Sequence, residues 1–234
     1  MPRKEGIRQM FDNIAPEYDR LNHILSLDID RIWRRRAVRK IADTSSPLNI
    51  LDVACGTGDF AVAIARKAAA GSHITGLDLS EGMLAIGREK IFKAGLASTV
   101  SLEQGDSEDI PYGEGCFDRV SVAFGVRNFE HIDKGLKEMF RVLKKGGRLV
   151  VLELSVPQNR VIRWLYSLYF TKVLPVIGGR VSGDMHAYEY LPASVLEFPG
   201  PAKFRSMMES AGFTSVRHRA FTFGICRMYT GEKQ

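Results

Sequence analysis

The stretch Ile50 to Asp59, reading Ile-Leu-Asp-Val-Ala-Cys-Gly-Thr-Gly-Asp, constrains this chain more than any other. The apolar run Leu48 to Val53 reads as a parallel strand buried on both faces, which is why it lacks polar alternation. It enters a turn carrying Gly56 and Gly58. A helix with Phe60, Ile64 and Ala68 on one side follows. Strand, glycine turn and helix open a nucleotide-binding α/β unit. Glycine suits that turn because the backbone must bend tightly and admit a ligand where a Cβ would intrude.

Two ligands compete for the turn, beside the bland reading of a turn with no ligand. Gly56, Gly58 and Ala61 fit the loose dinucleotide pattern G-x-G-x-x-(G/A), and Asp78 lies about 20 residues on, where a ribose-binding acid belongs. Asp52 argues against a dinucleotide. A carboxylate at the end of the first strand would oppose a pyrophosphate, whereas it complements a cation. S-adenosylmethionine carries an ammonium and a sulfonium and no phosphate. Asp52-x-x-x-Gly56-x-Gly58 resembles the first motif of the S-adenosylmethionine-dependent methyltransferases.

A chain of 234 residues has room for one large α/β domain with an appendage. Its net charge of +6 is a mild bias, compatible with an anionic membrane surface or nucleic acid and diagnostic of neither. Cys55, Cys116 and Cys226 lie far apart without metal-ligand spacing, and free thiols in a reducing cytoplasm are the simplest expectation. Met1 to Asp19 is charged throughout, unlike a signal peptide. No uncharged apolar run reaches the length of a membrane span. The expected location is cytoplasmic, with association to the inner face of the cytoplasmic membrane left open.

Residues 1–46 read as an N-terminal helical cap and 47–234 as the main domain, with an insertion over 156–200. Gly6 to Asp43 looks helical. From about Asp30, Trp33, Ala37 and Ile41 share one face, and Arg31, Arg34, Arg35, Arg39 and Lys40 populate the rest. That basic face reads either as solvated or as a contact for anionic headgroups. Ile74 to Asp78 is a second strand ending in an acid that can accept both hydroxyls of a ribose. Its bland role is to favour the dipole of the next helix, which Ser80 can cap.

Val100 to Glu103 is a third strand. Behind it Asp106 is placed to accept from an adenine amino group. Phe117 to Phe124 is a central fourth strand. The segment Ala123 to Phe129 that leaves it puts polar Arg127 and Asn128 at the carboxyl end of a strand, where α/β sheets carry their chemistry. Ile132 to Leu143 is a helix, closed by Lys144-Lys145-Gly146-Gly147, and Arg148 to Leu154 is a fifth strand. Val156 to Val181 crowds aromatics with dispersed Arg and Lys around Pro175. It reads as an apolar lid, as an interfacial membrane segment, or as both. Asp184 to Pro192 reads as a polar return loop in which His186 is either structural or catalytic. Pro201 to Gly212 is a helix, and Ser215 to Arg219 with Phe223 to Tyr229 is a closing strand pair.

Taken together these motifs resemble the ubiquinone/menaquinone biosynthesis C-methyltransferases. The resemblance rests on Phe11-Asp12-Asn13-Ile14-Ala15-x-x-Tyr18-Asp19-x-Leu21-Asn22, on Asp52 to Asp59, on Phe124 to Phe129, and on Arg141 to Gly147. Ser182-x-Asp184 and Tyr188-x-Tyr190-Leu191-Pro192 extend it over nearly the whole chain. Lys145 stands where the family usually shows Pro. The resemblance implies an α/β fold: the Rossmann-like seven-stranded sheet of class I S-adenosylmethionine-dependent methyltransferases, last strand antiparallel. It implies S-adenosylmethionine as methyl donor, no metal, and a polyprenylated quinol as acceptor, most like demethylmenaquinol. A methoxylated ubiquinone precursor is the alternative acceptor. Asp52, Gly56, Thr57, Gly58, Asp78, Asp106, Ser107 and Ala123 would hold the donor, although Ala123, often Ser in the family, offers only its backbone. Tyr18, Asn22 and Tyr188 would meet the acceptor.

Methylating a ring carbon needs a nucleophilic ring, aligned behind an already electrophilic methyl, and stabilisation of a phenolate-like charge. Arginine holds its proton too tightly to be an ordinary base, so Arg127 is expected to stabilise that charge and Asn128 to orient the same oxygen or a water. The bland alternative is that both cap the following loop. Nucleic acid is not an expected partner, since no Asn/Asp-Pro-Pro-Tyr motif and no Pro-Cys pair is present. A nucleic-acid or other small-molecule methyltransferase, a reductase using NAD and a non-catalytic membrane-surface module remain as rivals, and the oligomeric state, a homodimer among its options, is left open.

Overall fold

The computed structural model describes residues 4–26, 28–169 and 185–234, the side chains at 20–25 and 185–189 excepted. Five strands are mutually parallel: β1 (Asn49–Val53), β2 (His73–Asp78), β3 (Val100–Gln104), β4 (Phe117–Ala123) and β5 (Leu143–Leu154). With β6 (Thr214–Phe221) and β7 (Cys226–Glu232) they form, among the described residues, one seven-stranded sheet in the order β3-β2-β1-β4-β5-β7-β6. β7 is antiparallel to both neighbours. This is the class I methyltransferase sheet that the resemblance implies.

The missing polar alternation of β1 follows from its place at the centre. Leu51 and Val53 enter a core shared with α5 (Ile132–Val142) and α8 (Pro201–Ser210). Ile50 enters the opposite core, shared with α2 (Ile29–Ile41), α3 (Asp59–Ala65) and α4 (Glu81–Lys93). All three side chains are fully buried. Each such burial stabilises by ~1.5–3 kcal/mol, so truncating Leu51 to Ala would cost roughly 2–5 kcal/mol.

The N-terminal helical region divides into α1 (Lys4–Ser26) and α2, where Asp28 turns left-handed at φ 59°. α1 lies across the carboxyl ends of the first three strands and is fastened there at three points. Lys4 Nζ donates to Asp106 Oδ2 at 2.6 Å, beyond β3. Asp12 Oδ1 accepts from Ser80 Oγ at 2.6 Å and from Gly82 N at 3.0 Å, beyond β2. Asp19 accepts from Thr57 Oγ1 at 2.5 Å and from Lys90 Nζ at 2.6 Å, beyond β1. Seven or eight residues separate successive fasteners, about two helical turns, so all three fall on one face of α1.

Three readings of the sequence change. β5 begins at Leu143 rather than Arg148, because Leu143 already pairs with Phe117 of β4. The last strand starts at Cys226 rather than Phe223. Phe223 instead sits in a turn at φ 56° and is exposed. The expected return loop from Asp184 is a helix, α7 (Met185–Glu197), which keeps Pro192 inside it. Packing overrides proline there: Val195 is buried and Tyr190 Oη donates to Asn128 Oδ1 at 3.0 Å. Asn22 and Tyr188 lie on α1 and α7, but their side chains, like that of His186, lie outside the description, as does all of 170–184.

Candidate active site

Parallel β1 leaves the sheet centre at its switch point, between β2 and β4, where the connections diverge and a cleft opens. Gly56 and Gly58, at φ 55° and 75°, carry the chain through the left-handed turn that follows. Ala54 and Phe124, at the ends of neighbouring β1 and β4, also have positive φ, 50° and 61°. Such strain in non-glycine residues gathers at functional sites. Gly125 permits the approach of these two ends, since a Cβ there would lie 2.6 Å from Ala54 Cβ.

The first cavity runs along the carboxyl ends of β1 to β4 beneath α1. Gly56, Asp78, Ser107, Ala123 and Asn128 line it, with Leu79, Met83 and Phe129 as apolar wall and Lys4, Arg8, Phe11 and Tyr18 from α1 as roof. Asp78 is half-buried, and burial raises its carboxyl above the ordinary range against the pull of backbone donors. Oδ2 accepts from Gly56 N at 2.8 Å and Oδ1 from Ser80 N at 2.9 Å. A carboxylate oxygen has two acceptor positions, so each retains capacity for one hydroxyl.

Four of the expected donor residues do not line this cavity. Gly58 shapes the turn. Thr57 is buried with its hydroxyl between Asp19 and Lys90. Asp106 is turned to Lys4 and to the backbone N–H of Glu108. Asp52 lies behind the glycine turn, 1% exposed, in register with Ser121 of β4, whose hydroxyl donates to its Oδ1 at 2.7 Å. Its Oδ2 is buried with no hydrogen-bond partner among the described residues. Burial, with the nearby charge of Asp78 adding to it, raises the Asp52 carboxyl to about 7 against the opposing pull of Ser121 and Arg34. Burial pushes the Cys55 thiol well up.

The second cavity, about 440 Å³, meets the first across Tyr18 and Phe124, which line both. Its walls are chiefly apolar and aromatic: Trp33, Leu154, Ile162, Tyr166 and Tyr169, with Leu165 and Phe223 exposed at the rim. Ile162, Leu165, Tyr166 and Tyr169 come from α6 (Arg160–Leu168) and its C-cap, within the segment expected to be a lid or a membrane-facing insertion. Asp30, Arg34 and Arg127 are its charged groups. Arg127 is buried. Its Nη1 donates to Glu153 Oε1 at 2.8 Å and to the Phe124 carbonyl, and its Nε–H has no partner among the described residues. Burial works against the Arg127 charge, but the Glu153 carboxylate outweighs it and holds the proton on. Glu153, Asp30 and the fastening role of Lys4, Asp12 and Asp19 were not read from the sequence, where Asp12 and Asp19 stand only within the motif that carries the resemblance. The alternation of Asp12 and Asp19 with Phe11 and Tyr18 on a helical period was the signal available for the last.

The residues lining the first cavity include groups that could hold an adenosyl group. Asp78 offers acceptors for a ribose diol, Leu79, Met83 and Phe129 offer an apolar slot, and the orphaned Asp52 oxygen places negative character behind the turn. Fold and site together define a class I methyltransferase architecture. Solved structures share the fold. The cyclase SpnF superposes with a TM-score of 0.74 at 19% identity, covering 99% of this chain and 97% of that one. A SAM-dependent methyltransferase from Thermotoga maritima gives 0.67 at 18%, covering 97% and 100%. One of them is a cyclase, so architecture alone does not fix the reaction. Sequence relatives are much nearer. A ubiquinone/menaquinone biosynthesis C-methyltransferase from Geobacter sulfurreducens is 50% identical over 98% of this chain and 89% of that protein. A demethylmenaquinone methyltransferase from Bacteroides fragilis is 45% identical over 99% and 94%. The profile of the ubiE/COQ5 methyltransferase family matches residues 2–233, and the chain belongs to that family.

Proposed function

We propose that the chain methylates a ring carbon of demethylmenaquinol in quinone biosynthesis, with S-adenosylmethionine as donor. The observation that carries this reading is the meeting of the two cavities at Tyr18 and Phe124, one with a ribose-type carboxylate, the other aromatic-walled and large enough for a bicyclic ring. The donor supplies an electrophilic methyl group on its sulfonium. Asp78 binds the ribose, and the Ser107 side of the cleft receives the adenine. Trp33, Phe124 and Tyr166 wall the acceptor ring and keep water from it. Arg127 faces the acceptor cavity and stabilises the oxygen as charge develops on it. Glu153 compensates part of its charge, so the contribution is a fixed donor dipole more than a free cation. Asn128, held by Tyr190, orients the acceptor from the donor side.

Among the described residues no helix is long and apolar enough to cross a membrane. α6 nonetheless exposes Val161, Trp164, Leu165 and Leu168 along one face, with Arg160 and Arg163 beside them. That face borders the mouth of the larger cavity, and it delivers a prenyl tail from an anionic bilayer. Incubation with radiolabelled S-adenosylmethionine and either demethylmenaquinol or the methoxylated benzoquinol precursor decides the acceptor. Label in menaquinol is expected. Label confined to the benzoquinol would overturn the naphthoquinol assignment.

A further inference from the structure

Among the described residues Asp30 is the sole carboxylate in the wall of the larger cavity, and it is 4% exposed. It stands in the first turn of α2. Ser26 Oγ donates to its Oδ1 at 2.7 Å and Arg34 Nε to its Oδ2 at 3.3 Å. The Arg34 guanidinium in turn lies 5.2 Å from the centroid of the Phe124 ring. Phe124 is the residue across which the two cavities meet, so the ion pair sits beside the point where ring and methyl must come together. An acid in a first helical turn favours the helix dipole, but that role needs neither burial nor an aromatic cavity around it.

We infer that Asp30 is the catalytic group that takes the proton from the acceptor's hydroxyl, an inference that rests on the quinol reading above. Arg127 cannot do this, because it stays protonated, and Glu153 is committed to Arg127. The step balances without an oxidant. The hydroxyl proton moves to the Asp30 carboxylate and the oxygen's electron pair makes the neighbouring ring carbon nucleophilic. That carbon gains the methyl as the sulfur–methyl bond breaks, then loses its own hydrogen to water. Asp30 returns its proton to the oxygen as the ring regains aromaticity. One proton is released per turnover. Arg34 pairs with one carboxylate oxygen and Ser26 donates to the other, which together fix its direction.

Among the described residues, the other titratable groups lining the cavity with Asp30 are Arg34 on its own helix, Tyr18 from α1, Arg127 from the turn after β4, Tyr166 from α6 and Tyr169 at its C-cap. None of them is a base at neutral pH: the arginines stay charged and burial raises the Tyr166 and Tyr169 hydroxyls. Asp30→Asn is therefore expected to lose about a hundredfold or more in turnover at pH 7. Its rate should climb tenfold per pH unit as the quinol ionises unaided, while affinity for S-adenosylhomocysteine holds. Asp30→His should recover part of the rate, with an acid limb where imidazole titrates. A second readout uses a nitronaphthol bound in the cavity, whose two ionic forms absorb differently. The Asp30 charge should raise its bound pKa in wild type, and Asp30→Asn should lower it. If Asp30→Asn alone fails to fold because Arg34 is left uncompensated, the double variant Asp30→Asn/Arg34→Gln removes both charges and is assayed the same way. A folded variant with wild-type turnover, pH profile and nitronaphthol pKa would overturn the assignment. Wild type that labels no quinol at all would instead overturn the proposed function.

Discussion

Glu153, at the end of β5, accepts from Arg127 twice, from Nη1 at 2.8 Å and from the backbone N–H at 3.2 Å, and neither side chain reaches solvent freely. Removing one partner of a buried pair leaves the other charge uncompensated, at about 3–5 kcal/mol. Arg127→Ala is therefore expected to fall in thermal stability as well as in turnover. Turnover per folded molecule should drop a hundredfold or more, on the order of 3 kcal/mol, with donor affinity near wild type. Arg127→Lys, which keeps the charge but not the planar fork, should retain most of the stability and only part of the rate. Stopped assays on the folded fraction separate the two effects, and near-normal turnover in Arg127→Ala would leave the arginine a purely structural role.

Asp78 joins the glycine turn to the α4 N-terminus through Gly56 and Ser80. Asp78→Ala should weaken S-adenosylhomocysteine binding by at least tenfold, from a lost charged hydrogen-bond pair of about 1.5–3 kcal/mol. Titration calorimetry on folded variant measures it. Unchanged affinity would mean that the carboxylate serves only the turn.

The fold was legible where one residue type has one use. The run into Gly56 and Gly58 gave β1 and the turn. Asp78, Ser107, Ala123 and Asn128 fell around one cavity because strand ends in a parallel sheet converge whatever the loops do. Thr57, Asp106 and Asp52 are near that cavity without lining it, and no spacing rule distinguishes an acid facing a ligand from one facing Lys4 or Ser121. Glu153 and Asp30 were missed for a similar reason. Each reads as a lone acid among strand or helix residues, and only the tertiary pairing with Arg127 or the aromatic cavity gives it a role. Asp184 to Pro192 reads as a polar return loop, but the helix α7 runs on past Pro192 to Glu197, where Val195 is buried.

α1 is fastened over the donor cleft by partly exposed polar contacts, which hold well enough to close it and weakly enough to release it. Asp12→Ala removes acceptors from both Ser80 and Gly82. It should speed donor dissociation several-fold while the melting temperature changes little. Stopped-flow displacement of a fluorescent S-adenosylhomocysteine analogue reads the rate, and an unchanged rate would show that α1 does not gate the cleft.

The exposed face of α6 makes a separate prediction. Val161, Trp164 and Leu168 changed together to Ser should reduce sedimentation with anionic vesicles and leave folding intact, since all three are exposed. Activity should suffer more on a long-chain quinol than on a short-chain one. Equal loss on both would assign these side chains to packing.

Asp52 gives the pH dependence. Its carboxyl is raised to about 7 by burial, and its ordinary value in an unfolded chain is about 3.9. Between those limits the folded protein holds a proton that the unfolded chain has released. Stability is therefore greatest below about pH 4 with respect to this group, and it is lost as pH rises toward 7, by up to roughly 4 kcal/mol. Asp52→Asn removes the titration, so its melting temperature without donor should change less across pH 5 to 8 and exceed that of wild type at pH 8. A cationic donor reverses the balance, because it favours the carboxylate lying behind the turn. Binding of S-adenosylmethionine near pH 6.5 should release a fraction of a proton and tighten with pH. S-adenosylhomocysteine, which lacks the sulfonium charge, should release less, and Asp52→Asn should abolish the difference. Calorimetric titrations in buffers of unlike ionisation enthalpy count the proton directly. Equal release with both ligands in wild type would remove Asp52 from the recognition of donor charge and leave it a buried partner of Ser121.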